Sequence, residues 1–287
     1  MESYLMLVTA AVLLAVDFSL NKVYQKWQGT SLKAGLRFNA LLGLCTAVIF
    51  WALDGFSLVF APFSIIIAVA MSTLAITYNI MGFRIMKSGS MALYTLFLMT
   101  GGMTVPYVWG LLFLNEPFSI VKTLGLLVLI AAVTFSVSGN MKLDKKQLLM
   151  CIAVFFLNGF VSVLSKTHQI EANYTHVSAT GFVMLTGLCK FLMAGWTLFT
   201  PKEDAPKTSG KKLVFPLIIC SAAVGGVSYM LQLWGAMDLP ATVLYPFITG
   251  GSMVCSTLAD VLVFREKLSR KLLISVALSF VGTCMFL

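Results

Sequence analysis

Residues 240–270, PATVLYPFITGGSMVCSTLADVLVFREKLSR, form one long apolar run that closes on an acid flanked by bases. The run has an echo at 91–120, MALYTLFLMTGGMTVPYVWGLLFLNEPFSI. Aligned on TGG (100–102 and 249–251), Ala92 falls on Ala241. Glu116 and Glu266 follow the last glycine at nearly equal distance, and a serine stands three residues past each, Ser119 and Ser269. An apolar run of this length exceeds a soluble strand or an ordinary core helix. About 20 such residues are what a helix needs to cross hydrocarbon. The two stretches therefore read as membrane-spanning helices, and their similarity as a duplicated half, the organisation of many carriers.

Composition agrees. Only 11% of the 287 residues are charged, against about 25% in a soluble domain. The net charge of +9 comes from bases in short loops between apolar runs, with no basic patch or tail, which argues against nucleic acid. The six cysteines lie inside apolar runs without CxxC pairing and read as small buried residues. The first run leads into Lys22, Lys26 and another span, so it is expected to stay as a helix and not to be cleaved as a signal peptide.

Ten spans are expected, at about 4–25, 34–53, 60–85, 90–114, 118–138, 147–166, 178–200, 213–237, 240–264 and 269–287. Pro106 is placed as a kink, and Pro117 in the first turn of the fifth span. NMKLDKK, 140–146, is the central turn, and 201–212 the longest polar loop. The repeat recurs elsewhere. NKVYQ (21–25) matches SKTHQ (165–169), and RFNALLGLC (37–45) matches GFVMLTGLC (181–189), both at an offset of 144. The later spans match at offsets of 149 to 151. Two halves, 1–140 and 141–287, follow. Five spans each is an odd number, so the second half enters from the opposite side. The expected fold is an all-α polytopic membrane protein, with ten transmembrane helices as two inverted five-helix repeats around a central cavity.

The ten-helix duplication, the glutamates of LFLNEPFS and LVFREKLS, and the lysines closing spans 1 and 6 resemble the drug/metabolite transporter superfamily, EamA-type ten-helix branch. That resemblance implies a basket of helices 1–4 and 6–9 around the cavity, with 5 and 10 as outer supports. It implies a mover of small organic solutes, often an exporter, with cytoplasmic termini. The charges say otherwise about the termini. Seventeen Lys and Arg fall in the odd-numbered loops, between spans 1–2, 3–4, 5–6, 7–8 and 9–10; two, Lys122 and Lys166, fall in the even ones. By the positive-inside rule this places the termini outside. Lys22 and Arg37 are the bases that the cavity would claim instead of the lipid surface.

Three ionisable residues stand inside apolar runs: Asp17, Lys190 and Asp260. A mid-bilayer charge costs about 2.5–3.5 kcal/mol on insertion scales, so it normally faces a cavity or a partner. Asp17 heads a stripe with Asn21 and Tyr24 and is expected to bind a cationic group or a proton; a packing carboxyl is the bland reading. Lys190, flanked by Thr186 and Thr197, would hold a carboxylate or phosphate, or pair with an acid. Asp260 ends the stripe Tyr245, Thr249, Ser252, Ser256, and an interfacial place suits it nearly as well. Tyr78, Asn79, Asn158, Tyr229 and Gln232, with Thr77, Ser162, Ser165 and Trp234, complete the candidates; helix–helix hydrogen bonds account for such residues as readily as ligands do. Trp109 and Trp234 are expected at lipid or in packing, Gly101, Gly102, Gly250 and Gly251 at close helix contacts, Glu116 and Glu266 at helix ends, and Lys22 and Lys166 snorkelling to the interface.

No cofactor or metal is called for. His168 and His176, read in one loop with Glu171, lack a zinc spacing, and HExxH, Walker and GxSxG motifs are missing. Asn173-Tyr174-Thr175 fits a glycosylation sequon. The expected function is secondary active transport of amino acids, amines or amphiphilic metabolites, as a proton-coupled exporter in a bacterial inner (plasma) membrane. The expected partners are the solute, protons or a counter-substrate, and lipid, the chain being monomer or homodimer. An uptake carrier or exchanger, a membrane-embedded enzyme on lipid-linked substrates and a passive channel are the alternatives.

Overall fold

The computed structural model describes residues 2–29, 31–59, 61–87, 91–136, 145–200, 213–262, 265 and 270–287. It contains ten α-helices: α1 Glu2–Gln28, α2 Leu32–Leu53, α3 Pro62–Lys87, α4 Met91–Phe113, α5 Ile120–Ser136, α6 Lys145–Ile170, α7 Ala179–Ala194, α8 Val214–Asp238, α9 Ala241–Leu262 and α10 Arg270–Cys284. A 3-10 turn, Gly195–Phe199, continues α7. No strand occurs among the described residues. A helix stands at each expected span, its ends shifted by a few residues. Eight helices, α1–α4 and α6–α9, are long and apolar enough to cross a bilayer; α5 and α10 are shorter over the described residues. Most of the expected central turn, the loop 201–212, Glu266 and Ser269 lie outside the described residues.

Local chemistry sets several helix ends. The Ser31 and Ser178 hydroxyls accept the amides of Ala34 (3.2 Å) and Gly181 (2.9 Å), capping α2 and α7. The start of α5 differs from expectation: Pro117 precedes the helix, and Ser119 caps it, accepting the Lys122 amide at 3.4 Å. After α4 the chain turns through Asn115 in the left-handed region (φ 51°), which asparagine tolerates better than most residues. Pro106 and Pro246 sit within continuous helices, each removing the amide that would pair with the carbonyl four residues earlier, at Gly102 and Thr242.

The helices interleave instead of forming two separate bundles. α1 packs on α8 and α9, α2 on α7 and α8, α3 on α6 and α7, α4 on α6 and α9, and α5 on α10. Small residues let backbones approach. A Cβ on Gly43 would lie 2.6 Å from the Gly187 carbonyl, and one on Gly187 would lie 2.8 Å from that of Gly43. Gly101 lies against the Phe155 backbone, Gly102 against Asn158, Gly250 against Leu129 and Thr283, and Gly251 against Ala11. Trp109 stacks on Phe113 at 4.2 Å, while Trp234 is exposed on the outer surface.

Two basic residues and a histidine take places other than those expected. Arg37 donates to the carbonyls of Thr197 (2.9 Å) and Thr200, tying α2 to the end of the 3-10 turn and away from any cavity. His168 belongs to α6, not to a loop, and is fully buried. Its Nε2 lies 2.8 Å from Ser64 Oγ and its Nδ1 2.8 Å from Gln169 Nε2, with Phe182 stacked at 3.6 Å. Those partners on α3 and α7 extend α6 a turn beyond its apolar run. Lys166 does not snorkel, as described below.

Candidate functional site: a polar cavity between seven helices

A cavity of about 390 Å³ opens among α1, α3, α4, α6, α7, α8 and α9. Nine of the twelve candidate residues line it: Asp17, Tyr78, Asn158, Lys190, Tyr229, Gln232, Tyr245, Thr249 and Ser252. Two others stand behind it. Asn21 donates to Asp17 Oδ2 at 3.2 Å, and Asn79 accepts from the Tyr94 hydroxyl at 3.3 Å. Asp260 lies on α9, its side chain outside the described set. Ser162, Ser165 and Thr186 also face the cavity; Thr77 bonds to its own helix at the Thr73 carbonyl, and Tyr24 reaches the Ala34 carbonyl. Sequence reading missed Ser72, Gly225 and an apolar lining from Leu14, Phe18, Met71 and Met99. Nothing in their local sequence separates these residues from the other small and apolar residues of their helices.

Asp17 is held firmly. Ser221 of α8 donates to Oδ1 and Asn21 to Oδ2, and the carboxyl packs on Gly225, where a Cβ would sit 3.0 Å from its Cγ. Lys190 differs. It leaves α7 beside Gly43 of α2, and among the described residues no hydrogen-bond or ion-pair partner reaches its ammonium. Among the described residues the charged group whose field reaches it is Asp17, across the cavity. Two of the three lining tyrosines have their hydroxyls engaged by the wall itself: Tyr245 donates to the Ser162 carbonyl at 2.6 Å and Tyr229 meets Ser165 Oγ at 3.1 Å. Asn158 gives its amide to the Leu98 carbonyl at 2.8 Å. The site thus offers a fixed acid, a cation without a partner, aromatic faces and spare hydroxyls. Among the described residues no group of three or more His, Cys, Asp or Glu is placed to hold a metal.

A second polar arrangement closes one end of the bundle. Glu116 folds back over Gly110, where a side chain would collide with its carboxylate. It accepts the amides of Ala241 (2.6 Å) and Thr242 (2.8 Å), capping α9. Lys166, buried, donates to the carbonyls of Ala236 (2.5 Å) and Leu239 (2.7 Å), closing α8. The expected helix-end role suits Glu116. Lys166 stays inside because two orphan carbonyls of the α8 terminus lie within its reach.

Apolar helices of this number and length around one polar cavity define an integral, multi-pass membrane protein. Residues 145–287 match the EamA-like transporter family, and the chain belongs to that family, a member of the drug/metabolite transporter superfamily. A protein of solved crystal structure shares 16% identity and superposes with a TM-score of 0.76, over 99% of this chain and 96% of that one. At that identity the likeness shows the fold. No curated protein matches the chain in sequence. The protein is a membrane transporter of the drug/metabolite transporter type.

Proposed function

We propose that the protein is a proton-coupled secondary carrier that exports a small amphiphilic solute, such as an amino acid or amine, from a bacterial cytoplasm by alternating access. The observation that carries this reading is Lys190, a cation without a partner among the described residues, facing the fixed carboxylate of Asp17 across the cavity. Charges inside a bilayer are retained where they meet a ligand or an ion. A zwitterion would answer both, its carboxylate to Lys190 and its ammonium to Asp17.

Alternating access needs two similar halves, and the halves proposed are 1–140 and 141–287, related as inverted repeats. The matching of positions supports this. At an offset of 144, Leu14, Asp17 and Phe18 of α1 correspond to Asn158, Val161 and Ser162 of α6, and all six line the cavity. At 150, Leu98, Met99 and Gly102 of α4 correspond to Ile248, Thr249 and Ser252 of α9, and again all six line it. Gly43 and Gly187, 144 apart, lie against each other's carbonyls, as residues on a two-fold axis would. Asn115 and Arg265, 150 apart, share a left-handed backbone, φ 51° and 54°. Against this matched frame the charges are unmatched. Val161 stands where Asp17 has its counterpart, and Thr46 where Lys190 has its own. Each half would then contribute one charge of the pair.

Transport into proteoliposomes, with and without a pH gradient, tests the reading. Saturable flux and counterflow of a zwitterion, lost in Lys190→Met, are expected. No flux for any amino acid or amine, or an Asp17→Asn protein that couples like the parent, would end the mechanism.

A further inference from the structure

The two ends of the bundle differ in charge, and the structure sharpens the difference. One end holds the last turns of α1, α3, α5, α7 and α9 with the first turns of α2, α4, α6, α8 and α10; the other holds the opposite ends of these helices, with Glu2 and Leu287. At the first end Lys26, Lys33, Arg84, Lys146, Arg270 and Lys271 are exposed. Arg37, also there, is occupied by the Thr197 and Thr200 carbonyls and is set aside, without changing the balance. At the second end Lys166 is turned inward on the α8 terminus, so among the described residues the half-buried Lys122 is the one Lys or Arg left there to meet solvent. Asp54, Glu171 and the exposed Asp238 stand at that end among the described residues; acids occur at both ends of the sequence, so the contrast lies in the bases.

We propose that the basic end is the cytoplasmic face, seated on the acidic phospholipid headgroups of that leaflet, and that the α1 start and the α10 end face the opposite compartment. Bases in short loops near span ends set orientation, whereas acids contribute little. A negative leaflet attracts a basic rim over about a Debye length. The helix-terminus role of Lys166 removes the one internal base that blurred the count. Five spans per half lets the same frame insert either way up, so surface charge decides, and here it opposes the orientation with cytoplasmic termini. The inference is independent of substrate and coupling.

Alkaline phosphatase and green fluorescent protein, each fused after Leu287 and within 201–212, test it in a bacterial inner membrane. The expected result is an active phosphatase and dark fluorophore after Leu287, with the reverse in the loop, the normalised ratios differing by about tenfold or more. The inverse pattern, or equal signals at both sites, overturns the proposal. Should the fusions misfold, single cysteines replacing Glu171 and Lys145 in an otherwise cysteine-free chain are labelled in whole cells with a membrane-impermeant maleimide. Labelling at 171 and not at 145 is expected; labelling at 145 overturns it.

Discussion

Lys166 and Lys190 stand in apolar helices of the same half, and they do opposite things. Lys166 gives its protons to the Ala236 and Leu239 carbonyls at 2.5 and 2.7 Å. Lys190 gives its protons to no described group and faces the cavity. The difference teaches how to sort buried charge. A saturated cation belongs to the scaffold, because removing it strands the groups it satisfied. An unsaturated one is available to something that comes and goes.

Several substitutions sharpen or break that distinction. Lys166→Met strands two carbonyls that close α8, and breaking a buried charged arrangement costs about 3–5 kcal/mol. A large fall in the thermal midpoint of detergent-purified protein is expected, with loss of folded protein; an unchanged midpoint would move Lys166 out of the scaffold. Lys190→Met should do the reverse. Its midpoint stays level or rises, while solute flux in proteoliposomes falls about a hundredfold, roughly 2.7 kcal/mol of lost recognition. Equal destabilisation by the two lysine variants would erase the comparison.

Two acids extend it. Asp17→Asn keeps acceptance from Ser221 at one oxygen, so folding persists. Counterflow is expected to continue while acceleration by a pH gradient disappears. Glu116→Ala uncaps α9 at Ala241 and Thr242, an expected loss of about 1–2 kcal/mol read as a lower midpoint. Glu116→Gln, with one acceptor oxygen, should fall between alanine and the parent. The smallest effect belongs to Trp234→Phe on the outer surface: stability within about 0.5 kcal/mol and unaltered flux.

The span pattern was legible because lipid imposes length and apolarity on each helix separately. Nine cavity residues were legible for a related reason: a polar side chain mid-span has few other places to go. What escaped depended on neighbours distant in sequence. The α6 run reads as ending near Lys166 because lysine suits an interface, yet the carbonyls that hold it inside come from the end of α8. His168 reads as a loop residue because Ser64 and Phe182, which bury it, lie on other helices. Arg37 reads as a cavity residue because the turn at 195–200 that it holds has no signature of its own. Pro117 drew the start of α5 two residues too early, where Ser119 was the better signal.

The corner between α8 and α9 has a mechanical consequence. Lys166 of α6 clasps the last carbonyls of one helix, and Glu116, just past α4, clasps the first amides of the next. Neither arm of the corner can swing alone, since lifting α8 off α6 would bare an ammonium and two carbonyls together. At that end the four helices form a welded joint, and any rocking there must carry them as one lever.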